Sequence, residues 1–166
     1  MLKKSVEDLL NRQIEREGYS SILYLSMASW AETMGYAGVA EWLYAQAEEE
    51  KMHMLKIIRF VNERSGKALI PSFDRPPAEF EGLKTMFDRV LEHEQYITGS
   101  INEIVAETEK EKDYSTNNWL QWFVSEQVEE ENSVQAIIDK LNLVGDHNLY
   151  MFDRDIMSMR TGEDGE

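Results

Sequence analysis

Residues 39–64 read VAEWLYAQAEEEKMHMLKIIRFVNER, and the fold turns on this run. Taken in steps of three and four, Val39, Leu43, Gln46, Glu50, His53, Ile57 and Phe60 fall on one side of an α-helix. The ends of that stripe are apolar. Its middle holds a carboxylate and an imidazole three residues apart, which project from the same helix face. Gly35 and Gly38 precede the run and Gly66 follows it, so the helix is a discrete element.

The pattern recurs further along the chain. Adding 77 to positions 17, 50 and 53 gives 94, 127 and 130, so Glu17, Glu50 and His53 are echoed by Glu94, Gln127 and Glu130. The same shift superposes Arg12 on Arg89, Tyr19 on Tyr96, Trp42 on Trp119 and Glu49 on Glu126. A fixed offset suits two helix pairs related by a pseudo-two-fold axis, each pair carrying half of a site.

Outward from these runs, periodicity predicts further helices over residues 5–34, 83–110 and 119–143. A short fifth helix is expected to start from a cap at Asp146 and end near residue 159. Ser5 followed by Asp8 resembles a capping box. Short turns make the first and second helices antiparallel neighbours, and likewise the third and fourth. The connection between the second and third, KALIPSFDRPPAEFEG, holds all three prolines and cannot be a regular helix. Roughly 17 extended residues span about 55 Å, against about 39 Å for a helix of 26 residues. The linker therefore runs the length of the bundle and leaves those two helices parallel. The expected fold is all-α: a four-helix bundle with one long crossover and a short C-terminal helix. Residues 1–160 are expected to form a single domain, and the tail TGEDGE, residues 161–166, to be disordered.

Composition narrows the function. The 166 residues are 42% hydrophobic, enough for one globular core. No cysteine is present, which excludes disulfides, thiolate zinc sites and cysteine nucleophiles. The net charge of −15 repels nucleic acid and attracts cations, although such a charge also serves solubility alone. No apolar run approaches the roughly 20 residues of a membrane span. The N-terminus lacks a secretory apolar segment, so a cytoplasmic location is expected.

The inward stripes carry the chemistry. Each of the four is largely apolar and each is interrupted near its middle: by Glu17, by Glu50 and His53, by Glu94, and by Gln127 and Glu130. In an antiparallel bundle these interruptions fall at a similar height. A buried unpaired carboxylate costs several kcal/mol or takes up a proton, while a whole domain is stable by only about 5–15 kcal/mol. No Lys or Arg stands on these stripes near the interruptions. Bound cations account for the arrangement; the competing reading is a polar layer satisfied by protons, hydrogen bonds and water. Donors that are mostly oxygen with one imidazole suit iron or manganese better than a thiolate metal. Glu50 is placed to bridge two ions.

The whole chain resembles the bacterial non-haem ferritins, within the ferritin-like di-iron family. The likeness rests on Glu17, Tyr24, the run EEEKMH over residues 48–53, Glu94 and the run EQVEEE over residues 126–131. The resemblance implies one iron site at Glu17, Glu50 and His53, and a second at Glu50, Glu94, Glu130 and Gln127. It also implies a third, nearer a cage interior, at Glu49, Glu126, Glu129 and Glu130. Tyr24 would sit beside the pair, bonded to a ligand or supplying an electron. Trp122 is a weaker candidate for that second role, and packing is the alternative for both aromatics. Glu49 and Glu129 have solvated surface charge as their alternative.

Departures from related families matter too. The second half-site reads Gln-x-x-Glu, which lacks the second His of bacterioferritins. Lys51, not Met, follows Glu50, so no haem is expected. The stretch over residues 117–120 is neutral where animal ferritins line three-fold pores with acids. The implied function is a ferroxidase that oxidises Fe(II) with dioxygen or hydrogen peroxide and stores the ferric mineral in a hollow 24-subunit homo-oligomer. Tyr36, Trp42, Tyr150 and Phe152 are expected at its surfaces, buried by neighbouring subunits. No nucleic-acid or membrane partner is expected. The alternatives are a di-iron peroxidase without a major storage role and a cation-buffering bundle without catalysis.

Overall fold

Each long run of three-and-four periodicity becomes a helix. The computed structural model describes residues 1–160, and the expectation of a disordered tail lies outside the described residues. The helices are α1 (Lys4–Thr33), α2 (Ala37–Glu63), α3 (Leu83–Lys110), α4 (Tyr114–Val144) and α5 (Leu149–Asp155), with a 3₁₀ turn over Ile156–Met159.

Three boundaries differ from the sequence expectation, each for a local reason. α4 begins at Tyr114 rather than Trp119 because Asp113 caps it: Asp113 Oδ1 accepts from the Thr116 amide at 3.2 Å, and Oδ2 from Thr116 Oγ1 at 2.6 Å. Residues 114–118 form a helical turn rather than a linker, with Thr116 buried. Ser5 is not a cap, since α1 already starts at Lys4 with Lys3 in the N-cap position. Asp146 does not cap α5 either; the N-cap there is Asn148.

Cross-helix contacts fix the topology. Residues 13, 20 and 24 of α1 meet residues 100, 93 and 94 of α3, through Ser100–Gln13, Ser20–His93 and Tyr24–Glu94. The two helices are therefore antiparallel. Along α2, residues 46, 60 and 64 meet 130, 119 and 113. α1 is antiparallel to α2, with Ser21 bonded to the Ala47 carbonyl and the Leu2 amide to that of Arg64. Hence α2 and α3 run parallel, as the long connection requires.

That connection lies along α1. The Asn11 side chain donates to the Lys67 carbonyl and accepts from the Leu69 amide; farther along, Ser26 Oγ donates to the Pro77 carbonyl at 2.6 Å. Between these ties, Gly18 lets Phe73 lie against α1: a Cβ there would meet the Phe73 ring and come within 2.8 Å of Met54 Sδ.

The core is in two parts. One is built around Leu23, Tyr24, Met27, Leu43, Phe87, Val90, Ile137 and Phe152. The other is built around Val6, Leu10, Ile14, Ile57, Ile97, Ile101, Leu120 and Phe123. The carboxylate-bearing layer lies between them. α5 belongs to the first part: Phe152 and Ile156 are buried, and Asp153 Oδ1 accepts from the Val39 amide at 2.9 Å at the start of α2. Of the four aromatics expected at subunit surfaces, Trp42 and Phe152 are instead buried within the chain, and Tyr36 packs against the core. Only Tyr150 is strongly exposed, at 79%. Trp42 lies edge-on to Phe87 and is covered by α3 rather than by a neighbour. Among the described residues, no helix is long and apolar enough to cross a membrane.

Candidate metal centre

Four helices deliver one layer. α1 contributes Gln13, Glu17 and Tyr24; α2 contributes Gln46, Glu50 and His53; α3 contributes Glu94; and α4 contributes Gln127 and Glu130, all buried. The helical repeat sets this up, because i and i+3 or i+4 on one helix share a face.

Among the described residues, the donor atoms gather into three groups, each with its ligand atoms within 4.8 Å of one another. They are Glu17, Glu50 and His53; Glu50, Glu94 and Glu130; and Glu49, His53, Glu126 and Glu130. Glu50 joins the first to the second, Glu130 the second to the third, and His53 the first to the third. His53 Nδ1 lies 3.4 Å from Glu50 Oε2 and 3.9 Å from Glu17 Oε2.

Three buried atoms in this layer have no hydrogen-bond partner: Glu17 Oε2, His53 Nδ1 and His53 Nε2. Buried polar atoms are nearly always satisfied, so the orphaned Glu17 Oε2 and His53 Nδ1, 3.9 Å apart, call for an ion between them. The electrostatics agree. Burial, reinforced by the charge on Glu50, holds the Glu17 carboxyl well above the ordinary carboxylate range. Burial raises Glu50, with Glu94 adding to it, and raises Glu130, with Glu50 adding to it. Burial also raises Glu94, opposed by hydrogen bonds from Tyr24 and Gln127. Burial and mutual repulsion disfavour the charged form of these carboxyls, and a multivalent cation among them would reverse that penalty. The residues present therefore fit iron: oxygen donors, one imidazole and no thiolate.

Several residues hold these donors in place. Gln13 Nε2 donates to Glu17 Oε1 at 2.7 Å, and Ser100 Oγ donates to Gln13 Oε1 at 2.7 Å. Gln46 Nε2 donates to Glu130 Oε2 at 2.8 Å. Tyr24 donates its phenolic proton to Glu94 Oε1, and burial pushes the Tyr24 hydroxyl well above its usual range. Gln127 turns its amide nitrogen to Glu94 Oε2, at 3.1 Å, so in this rotamer it offers the centre a donor rather than an oxygen. Trp122 stands edge-on to His53, with ring centroids 5.3 Å apart, and Lys56 Nζ lies 3.4 Å over its ring. Glu129 is exposed and belongs to none of the three groups, because one residue along α4 from Glu130 is a rotation of about 100°.

Sequence reading placed Gln13 and Gln46 on inward stripes without assigning them a part. The available signal was a glutamine one turn before each of the carboxylates Glu17 and Glu50. It missed Arg160, whose Nη2 donates to Glu49 Oε2 at 2.7 Å across 111 residues of sequence, and no local pattern reports such a contact. It also missed His93, which pairs with Ser20 Oγ at 2.6 Å and is pushed down to about 4 by burial. A cavity of about 390 Å³ between α2 and α4 is lined by Glu49, His53, Lys56, Phe60, Trp119 and Trp122, and reaches the layer from one flank.

Comparison with known proteins agrees with this geometry. Residues 7–144 match the family description "Ferritin-like domain". A probable bacterial non-heme ferritin-like protein of Haemophilus influenzae is 42% identical over 163 residues, covering 97% of this chain and 99% of the relative. A bacterial non-heme ferritin of Campylobacter jejuni is 43% identical over 161 residues, covering 96% of each. Among solved structures, an open-pore ferritin from the hyperthermophilic archaeon Archaeoglobus fulgidus superposes with a TM-score of 0.92 at 41% identity. That match covers 96% of this chain and 98% of the other.

Proposed function

The chain belongs to the ferritin family, and from that premise we propose how it works as an iron-storage ferroxidase. Fe(II) is the substrate. One ion is held by Glu17, Glu50 and His53, and a second by Glu50, Glu94 and Glu130, with Glu50 between them. Each Fe(II) gives up one electron. Dioxygen takes both electrons with two protons and leaves as hydrogen peroxide, or hydrogen peroxide takes both with two protons and leaves as two waters. The observation that carries this reading is the set of orphaned buried atoms on Glu17 and His53, in a group that Glu50 links to a second one.

The surrounding residues act on protons and orientation. Gln13 and Gln46 donate to Glu17 and Glu130, fixing one oxygen of each and leaving the other for the ion. Gln127 orients Glu94 rather than binding iron. Tyr24 holds the other Glu94 oxygen, Oε1, by donating its phenolic proton. Oxygen-rich anionic donors favour Fe(III) over Fe(II), which adds driving force to the oxidation. The group at Glu49, His53, Glu126 and Glu130 is the first stop for iron leaving the pair.

The protein works as a homo-oligomer, and a 24-subunit cage around the mineral accounts for its surface. Ile70 at 74% and Tyr150 at 79% exposed are large apolar groups that a neighbouring copy would cover. A reducing cytoplasm, where Fe(II) persists, is the natural setting.

The test is to mix anaerobically loaded Fe(II) protein with oxygen and follow ferric absorbance, comparing wild type with Glu50→Ala/His53→Ala. Rapid oxidation in the wild type that is lost in the double variant is expected. Equal rates in protein and buffer would sink the ferroxidase and leave a cation-buffering bundle.

A further inference from the structure

The last described residue reaches back to the first stop for departing iron. Arg160 Nη2 donates to Glu49 Oε2 at 2.7 Å, and Nη1 lies 3.4 Å from both Gln46 Oε1 and the Trp42 carbonyl. Gln46 in turn donates to Glu130. One guanidinium therefore engages Glu49 directly and Glu130 through a single amide, and both carboxylates belong to the third group. A second observation marks that group as a cation site: His53 belongs to it, is about 2% exposed, and has both ring nitrogens unpartnered.

We propose that Arg160 is a gate on this third site, a built-in cation that occupies Glu49 until an arriving metal ion displaces it. Arginine keeps its proton under all ordinary conditions, so a metal ion arriving at the free oxygen of Glu49 meets a fixed positive charge. Under that repulsion the guanidinium moves away. Its backbone need not, because Phe152 and Ile156 are buried and Asp153 is tied to the start of α2. The long Arg160 side chain can swing while its anchor stays. Arg160 is about a quarter exposed and Glu49 slightly less, so the released guanidinium has water to enter. Occupancy of the third site thereby becomes conditional: one of its carboxylates is paired when the site is empty, and iron pauses there only when its charge exceeds what one guanidinium supplies. The site at Glu17, Glu50 and His53, whose ligands Arg160 does not reach, fills first.

This rests on the proposed reading of the third group, and the experiment separates the two. The assembled, iron-free protein is titrated calorimetrically with Zn(II), a redox-inert probe, as wild type, Arg160→Gln, Arg160→Lys and Glu126→Ala. Wild type should bind two equivalents tightly and a third weakly, and Glu126→Ala should lose the third. Arg160→Gln should tighten the third about tenfold, the size expected for removing a partly exposed charge-assisted hydrogen bond, and leave the site at Glu17, Glu50 and His53, whose ligands Arg160 does not reach, unchanged. Arg160→Lys, which keeps the charge without the forked donor, should fall between. A third event that survives Glu126→Ala overturns the assignment of the site. A third event lost in Glu126→Ala but unchanged or weakened in Arg160→Gln overturns the gate.

Discussion

Replacing Glu50 with Gln should stabilise the metal-free protein while weakening its response to metal. Glu50 is 2% exposed, its carboxyl is raised first by burial and then by the charge of Glu94, and its ordinary value is 4.5. A carboxyl kept protonated in the fold but ionised in the unfolded chain costs about 1.4 kcal/mol for each pH unit above that value. Three units, reaching about pH 7.5, set a ceiling of about 4 kcal/mol. The sign follows from proton counting. The folded state binds more protons than the unfolded one, so stability is full below pH 4.5 and falls as pH rises. Glutamine has nearly the same shape and no charge to suppress, so it removes this loss. At about pH 7.5 the variant should gain stability up to that ceiling, which for a chain of this size is at most roughly 15 °C in unfolding temperature. At pH 4.5 the two proteins should converge. Saturating Zn(II) should then lift wild type far more than the variant, since a ligand a thousandfold above its dissociation constant adds about 4 kcal/mol per site. The assay is calorimetric unfolding of chelator-treated and Zn(II)-loaded protein at both pH values. A metal-free Glu50→Gln protein less stable than wild type at about pH 7.5 would refute the reasoning, because it would mean that the layer's own hydrogen bonds already satisfy Glu50.

Three further outcomes are expected. Zn(II) binding near neutral pH should release protons, because Glu17, Glu50 and Glu130 are held protonated above the ordinary range, and affinity should fall as pH falls; titrations in buffers of differing ionisation enthalpy read this directly. Tyr24→Phe removes the donor to Glu94, so it should lower stability by about 1–2 kcal/mol and slow Fe(II) oxidation several-fold in stopped-flow traces. Gly38→Ala would drive a Cβ into the backbone carbonyl of Asp153, which cannot move without lifting α5, so a loss of about 3 kcal/mol and impaired assembly on size exclusion are expected.

Much of this was legible in the sequence because it is periodic. The stripe through Val39, Leu43, Glu50, His53 and Ile57 fixes one face of α2, and the offset of 77 repeats it on α4. Glu17, Glu50, His53, Glu94 and Glu130 are therefore brought together where the sequence placed them. The role of each as an iron ligand rests on the proposal above. What escaped is long-range or directional. Arg160 finds Glu49 only because Phe152 and Ile156 dock the C-terminal segment against the bundle. Glu129 fails to join Glu126 and Glu130 because a run of acids wraps around a helix rather than filling one face. Gln127 sits where a ligand was expected but presents nitrogen, and sequence does not report amide orientation. Residues 114–118 fall before the helix that periodicity predicts over 119–143, yet a cap at Asp113 makes them its first turn.

The two-part core has a bearing on traffic. Hydrocarbon above the polar layer and hydrocarbon below it act as insulating plugs, with Tyr24, Met27 and Leu43 on one side and Ile14, Ile57 and Phe123 on the other. An ion moving along the bundle axis would have to shed its water inside a close-packed wall, which is prohibitively costly. Passage must instead be sideways, between helices, at the height of the layer. The cavity between α2 and α4 that bares His53 is one such side door, and the flank carrying Glu49 and Arg160 adjoins it. A bundle built this way can exchange charged cargo without loosening either half.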